Sequence, residues 1–235
     1  GDQATLGIYA NIFDSALVAD DFILENYSYI SSIQFYAYQN NSGIDTSSIK
    51  GVYVAIYDQN PINGSAPIWG DYVTDRMISS SWTGIYLTTQ NTFTNTDCPI
   101  MKVVAEIDTF FASGNYWVTV AFSGNPSLSG PWAPPVRNLL QVNTGNALQY
   151  DNQSWVPWRD SQTLGQYGLP FIVKGYAQTD SLLGFNVFRN GVQLNSSLLE
   201  DYSFLDEDAI LRANTEYCYT VNAVYLNGCT SSETT

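Results

Sequence analysis

The chain has 235 residues, 14% of them aromatic and only 13% charged, with no histidine and a formal net charge of −14 at pH 7. Phosphate is gripped chiefly by basic side chains, so eight Lys and Arg against 22 Asp and Glu speak against nucleic acid or an acidic membrane surface as partner. Without histidine there is no Ser-His-Asp triad, no Cys-His pair and no His-bearing zinc site.

No helical period of useful length occurs, and no apolar run reaches the roughly eighteen residues of a membrane span. Runs of alternating apolar residues separated by turn signals predict an all-β protein. In chain order they are 16–24 (ALVADDFIL), 29–40 (YISSIQFYAYQN), 51–58 (GVYVAIYD), 67–74 (PIWGDYVT), 100–107 (IMKVVAEI), 115–122 (NYWVTVAF), 145–151 (GNALQYD) and 169–176 (LPFIVKGY). Eight runs without helices predict a sandwich of jelly-roll type over residues 1–178. Val52, Val54 and Ile56 alternate with Tyr53, Ala55 and Tyr57, so both faces of that run are apolar and the strand is expected to be covered on both sides. The turn cluster 58–64 (DQNPING) predicts a surface loop.

Residues 179–235 read as a second, smaller module. Phe185 and Val187, then Tyr217, Tyr219, Val221 and Ala223, fall on alternate positions. Asn190-Gly191 and Asn227-Gly228 are preferred two-residue hairpin turns. Five strands are expected here, fewer than the seven or so of a complete immunoglobulin-like sandwich. Apolar faces or strand edges are then left to be covered by the first domain, by another chain or a second copy of this one, or by residues outside this sequence.

Two resemblances follow from these strings. Gly184–Gly191 (GFNVFRNG) and Leu211–Tyr225 (LRANTEYCYTVNAVY) resemble the fibronectin type III-like modules of exported and surface proteins of Bacteroidetes-type bacteria. The resemblance implies a truncated module in which Tyr217 is the tyrosine-corner residue, and an extracellular or cell-surface location. The order ADDF, FYAYQ, VYVAIYD, IWGD, GNYWV, SGPWAPP, TGNALQY and LPFIVKG over residues 1–178 is similar to a bacterial extracellular β-sandwich domain that occurs as an accessory region. Cys98 departs from that pattern, where a basic residue is expected.

Three cysteines, Cys98, Cys218 and Cys229, cannot all pair within one chain. If 227–228 closes a hairpin, Cys218 lies roughly 26 Å along the strand from Cys229, beyond the ~7 Å reach of a disulfide. A Cys218–Cys229 bond therefore requires the tail to fold back without pairing.

Candidate chemistry centres on two features. The pair Asp20-Asp21 sits on a predicted strand, where neighbours face opposite sides, so one carboxylate points inward and needs a partner. Backbone amides or an arginine are one answer, and a structural Ca²⁺ held with other oxygens is the alternative. No other cofactor is indicated. The second feature is aromatic: Trp132, Tyr150, Trp155 and Trp158, with Arg159 and Asp160, concentrate flat apolar surface and hydrogen-bonding groups in Pro- and Gly-rich segments read as loops. Sugar C–H faces stack on exposed indoles while polar side chains bond the hydroxyls, so a carbohydrate platform is one expectation. Buried indoles that plug the end of the sandwich are the other. Trp69, Trp82 and Trp117 are assigned to packing. A glycosidase needs two carboxylates about 5–9.5 Å apart, and Asp20, Asp21, Asp45, Asp58, Asp71, Asp75 and Asp108 are available, although none sits in a catalytic motif and solvated or turn-stabilising roles are the favoured reading of them. The functional expectation is a non-catalytic accessory or adhesin-type protein that recognises a glycan or a surface protein. The rival expectations are a structural spacer of a larger secreted protein and a glycoside-active enzyme.

Overall fold

The computed structural model describes residues 7–87, 96–136, 141–151, 153–160, 164–178, 182–207, 212, 215–226, 229–232 and 234. The chain is all-β. Its strands are β1 (Ile8–Tyr9), β2 (Leu17–Leu24), β3 (Ser28–Ala37), β4 (Ile49–Tyr57), β5 (Trp69–Gly70), β6 (Met77–Tyr86), β7 (Pro99–Phe111) and β8 (Gly114–Gly124). They continue with β9 (Trp132–Ala133), β10 (Leu148–Asp151), β11 (Ser154–Pro157), β12 (Phe171–Ala177), β13 (Leu182–Arg189), β14 (Val192–Gln193) and β15 (Tyr219–Tyr225). The only helical turns among the described residues are 3₁₀ turns at Ile12–Asp14 and Pro61–Asn63. No helix among them is long and apolar enough to cross a membrane.

The chain divides into two compact units, one made of Gly1–Glu25 and Tyr29–Tyr176, the other of Asn26–Ser28 and Ala177–Thr235. The first is a β-sandwich. One sheet has the order β11-β10-β2-β8-β4-β5, the other β12-β3-β7-β6, and β1 pairs with β9. Between the sheets lies one core. Val18, Val52, Val54, Ile56, Val118, Val120 and Phe122 reach it from the first sheet, and Ile30, Ile33, Phe35, Met101, Val103 and Ala105 from the second. In β7 the pattern is plainly alternating, with Met101, Val103, Ala105 and Ile107 buried and Glu106 and Asp108 exposed. Burying each such side chain contributes about 1.5–3 kcal/mol.

β8 is buried on both faces from Tyr116 to Ser123. The outer side of the six-stranded sheet carries a second, smaller cluster, formed by Ala19, Ala55, Tyr57, Trp117 and Leu148 with Tyr72 and Trp155 against it. The expectation that β4 is covered on both sides is therefore met.

Beside the short strands β1, β9 and β11, which the sequence reading left out, two elements differ from it. The run 67–74 supplies only the two residues of β5. Gly70 has φ of 80°, and a Cβ there would lie 2.2 Å from the Val54 carbonyl oxygen, so this close approach needs glycine. Asp71 then turns the chain away, its carboxylate accepting the N–H groups of Thr74 at 2.6 Å and Val73 at 2.8 Å. These amides, with Arg76 3.2 Å away, hold the Asp71 carboxyl down at about 2. The other difference is β6, a serine-rich edge strand with no alternating signature, paired with β7 from Met77 opposite Ala105 to Tyr86 opposite Pro99. Trp69 and Trp82 do pack: the Trp69 ring lies 4.3 Å below the Arg76 guanidinium, and Trp82 lies against Tyr86.

The second unit carries the sheet β14-β13-β15. Asn190 and Gly191, with φ of 52° and 79°, close the β13–β14 hairpin between Arg189 and Val192 as the Asn-Gly dipeptide predicts. Three strands form among the described residues instead of five, with further pairing reduced to single bridges such as Phe185 with Leu199. After β15 the tail runs back beside it, Thr230 opposite Val224 and Thr234 opposite Val221. The Cys218 thiol is free. The predicted turn 227–228 lies outside the described residues. Arg189 pairs with Asp206 at 2.7 Å, and Asp206 also accepts the Tyr219 hydroxyl at 2.8 Å.

Tyr217 Oη accepts the backbone N–H of Arg212 at 3.0 Å. Tyr217→Phe removes that acceptor and nothing else, so it is expected to cost about 1 kcal/mol in urea unfolding. A neutral result would mean that the bond does not pin the segment before β15.

Candidate functional site

The turn between β10 and β11 sets the site. Asp151 faces Ser154 across the hairpin, so the next pair outward is Tyr150 opposite Trp155. Their rings meet edge to face, centroids 5.3 Å apart at 61°. β10 in turn pairs with β2, Tyr150 opposite Leu17 and Leu148 opposite Ala19, which carries both aromatics onto the outer face of the six-stranded sheet. There they border a groove of about 930 Å³ together with Tyr9, Tyr57 and Tyr72. That volume falls in the usual range of ligand pockets, about 300–1,000 Å³.

Hydroxyls fix the floor and rim of this groove. Tyr57 and Tyr72 share a hydrogen bond of 2.9 Å, Tyr72 meets the Thr119 hydroxyl at 2.7 Å, and Thr119 donates to the Ala55 carbonyl at 3.1 Å. Burial raises the Tyr72 phenol far above its ordinary value, so it stays a neutral donor. At the other side, the turn Ile12–Asp14 is capped by Asn11 and closed by Ser15 in the left-handed region. This brings the Asp14 carboxylate to 2.5 Å from the Tyr9 hydroxyl. Burial, and then this bond, raise the Tyr9 phenol as well. Asp151 and Gln153 complete the polar rim, and no lysine or arginine among the described residues lines the groove. Flat aromatic faces, neutral hydroxyls and carboxylates together can stack sugar rings and bond their hydroxyl groups.

The structure divides the predicted platform. Tyr150 and Trp155 sit together, in a hairpin instead of the expected loops. Trp158 does not join them: it is 4% exposed and packs in the main core against Tyr167, centroids 5.5 Å apart. Residues at odd spacing in an extended chain face opposite sides, and Trp158 is three beyond Trp155. Trp132, half-buried in β9, reaches the groove only through Tyr9, 5.1 Å away. Arg159 donates to the Leu164 carbonyl at 3.0 Å, and Asp160 accepts the Tyr167 hydroxyl. Neither lines the groove. Tyr9, Tyr57, Tyr72 and Asp14 escaped sequence reasoning because their convergence depends on strand register.

Asp20 is the inward member of its pair, 6% exposed, and its partners are backbone amides: Leu169 N–H at 2.7 Å and Asp21 N–H at 2.9 Å. Burial dominates these bonds and lifts its carboxyl to about 6. Asp21 is exposed. No group of three or more His, Cys, Asp or Glu suited to a metal ion occurs among the described residues. Of the other carboxylates considered, Asp75 accepts the N–H groups of Val52 and Met77, and Asp108 accepts the Tyr29 hydroxyl. Compared with known protein families, curated proteins and solved structures, the chain matches none.

Proposed function

We propose that this protein is a non-catalytic carbohydrate-binding accessory protein, exported to the cell surface or beyond, with the first unit as its binding module. The observation that carries this reading is the Tyr150–Trp155 pair at the edge of a groove floored by Tyr57 and Tyr72. Sugar recognition needs flat apolar faces beside fixed hydroxyl and carboxylate partners, and this groove has both. The jelly-roll assignment rests on the succession of strand runs, and surface location and the fibronectin type III-like assignment rest on the sequence resemblance. The Tyr217–Arg212 bond and the Asn190-Gly191 hairpin support the second of these assignments.

Affinity electrophoresis through gels containing neutral polysaccharides tests the reading. Wild type should be retarded by at least one polymer without releasing reducing ends, and Tyr150→Ala/Trp155→Ala should lose the retardation, a drop in affinity of about tenfold or more. Retardation by none, or retardation indifferent to the double substitution, would refute it. Release of reducing ends would favour a glycoside-active enzyme.

A spacer or docking role is favoured by one observation in the second unit. Phe185, Leu199, Tyr202, Phe204 and Val221 line an open, mainly apolar hollow of about 490 Å³ on one face of its sheet. In that reading a second copy or a neighbouring domain covers the hollow. Sedimentation equilibrium would then show a dimer that Phe185→Ser dissociates, and a monomer at all concentrations would exclude the second copy.

A further inference from the structure

We propose that the groove selects saccharides by charge, accepting uncharged sugars and rejecting carboxylated or sulfated ones, with Asp151 the residue that sets the selectivity. The inference rests on the carbohydrate-binding reading of the same groove.

Asp151 ends β10 and is exposed, one step from Tyr150 at the stacking edge. Its backbone carbonyl accepts the Ser154 hydroxyl at 3.2 Å, which ties the end of the hairpin, and Asp151 is among the residues that line the groove. Asp14 stands at the same groove, bonded to the Tyr9 hydroxyl, a neutral donor that leaves its charge in place. The ion pairs found among the described residues, Arg76–Asp71 and Arg189–Asp206, involve neither of them. Two carboxylates without a counter-cation among those residues thus flank a cleft with aromatic walls. Such walls focus the field of like-signed charges into the cleft, and the net charge of −14 reinforces it at longer range. An anionic sugar seated on Tyr150 and Trp155 would bring its charge against these carboxylates. A neutral sugar meets only acceptors for its hydroxyls. This repulsion provides discrimination that aromatic stacking by itself cannot.

The test uses matched neutral and carboxymethylated forms of a β-1,4-glucan, a β-1,3-glucan and an α-1,6-glucan in affinity gels. On the backbone that is bound, wild type should hold the neutral form at least about tenfold more tightly at low salt. The ratio should shrink at about 0.5 M salt, where the screening length falls to a few ångströms. Asp151→Lys should invert the preference. Equal retention of both forms, lost in Tyr150→Ala/Trp155→Ala, would overturn the charge selectivity and leave the binding reading intact, as would a neutral-to-acidic ratio unmoved by Asp151→Lys. Failure of all three neutral polymers to be retained through the aromatic pair would overturn both.

Discussion

Trp158→Ala should cost about 3–5 kcal/mol of stability, the range for deleting a buried aromatic side chain. Trp155→Ala, three residues away, should cost less than about 2 kcal/mol, because part of that indole already faces water. The Trp158 indole is enclosed by the main core, where Ala147, Tyr167 and Leu169 are its cluster partners. Its backbone is tied on both sides: its N–H donates to the Ala147 carbonyl at 2.9 Å and its carbonyl accepts from Tyr167 at 3.0 Å. The chain there cannot move inward to fill the space left by truncation, so the cavity persists and adds to the lost burial. Urea midpoints for the two variants measure the difference. Equal, small losses of stability, with glycan retention abolished in Trp158→Ala, would place Trp158 in the site and refute its core role.

This contrast also marks how far the sequence can be read. The long strands were legible because each buries one face against a large core: the alternation Met101, Val103, Ala105, Ile107 admits no other regular element. β6 was not, since an edge strand exposed over much of its length has no burial pattern to write into its sequence. The site was legible only where it is local. Tyr150 and Trp155 lie one step out from a tight turn, so the spacing itself makes them neighbours. Their companions come from β1, from the end of β4 and from the segment after β5, and only the ladder registers Tyr57 opposite Trp117 and Ala55 opposite Gly70 bring the last two segments to one face. Aromatic clustering in sequence drew Trp132, Trp158, Arg159 and Asp160 into one platform, whereas alternation of faces disperses them. That one carboxylate of the pair Asp20-Asp21 turns inward was readable from the same alternation, and so was its need for a partner, whereas its identity as Asp20 came from the structure.

That buried carboxyl yields a pH dependence of definite sign. Asp20 accepts two backbone amides, one of them from Leu169 far along the chain, yet it lies so deep that burial lifts its carboxyl from 3.8 to about 6. A raised folded-state value means that the protonated form is the one the fold prefers. Its contribution to stability is fully present below the unfolded value near 4 and is lost as pH rises through 6. A rise of that size corresponds to about 3 kcal/mol. Acidification also relieves the repulsion behind the net charge of −14, so the bare stability profile mixes both effects. Asp20→Asn separates them, because the amide keeps an oxygen for the Leu169 N–H and does not titrate. From about pH 7.5 to about pH 3 wild type should gain about 3 kcal/mol relative to Asp20→Asn in urea unfolding, with the change centred between about pH 4 and pH 6. Parallel profiles would mean that the Asp20 carboxylate is solvated in the folded protein or that the amides of Leu169 and Asp21 compensate its burial fully.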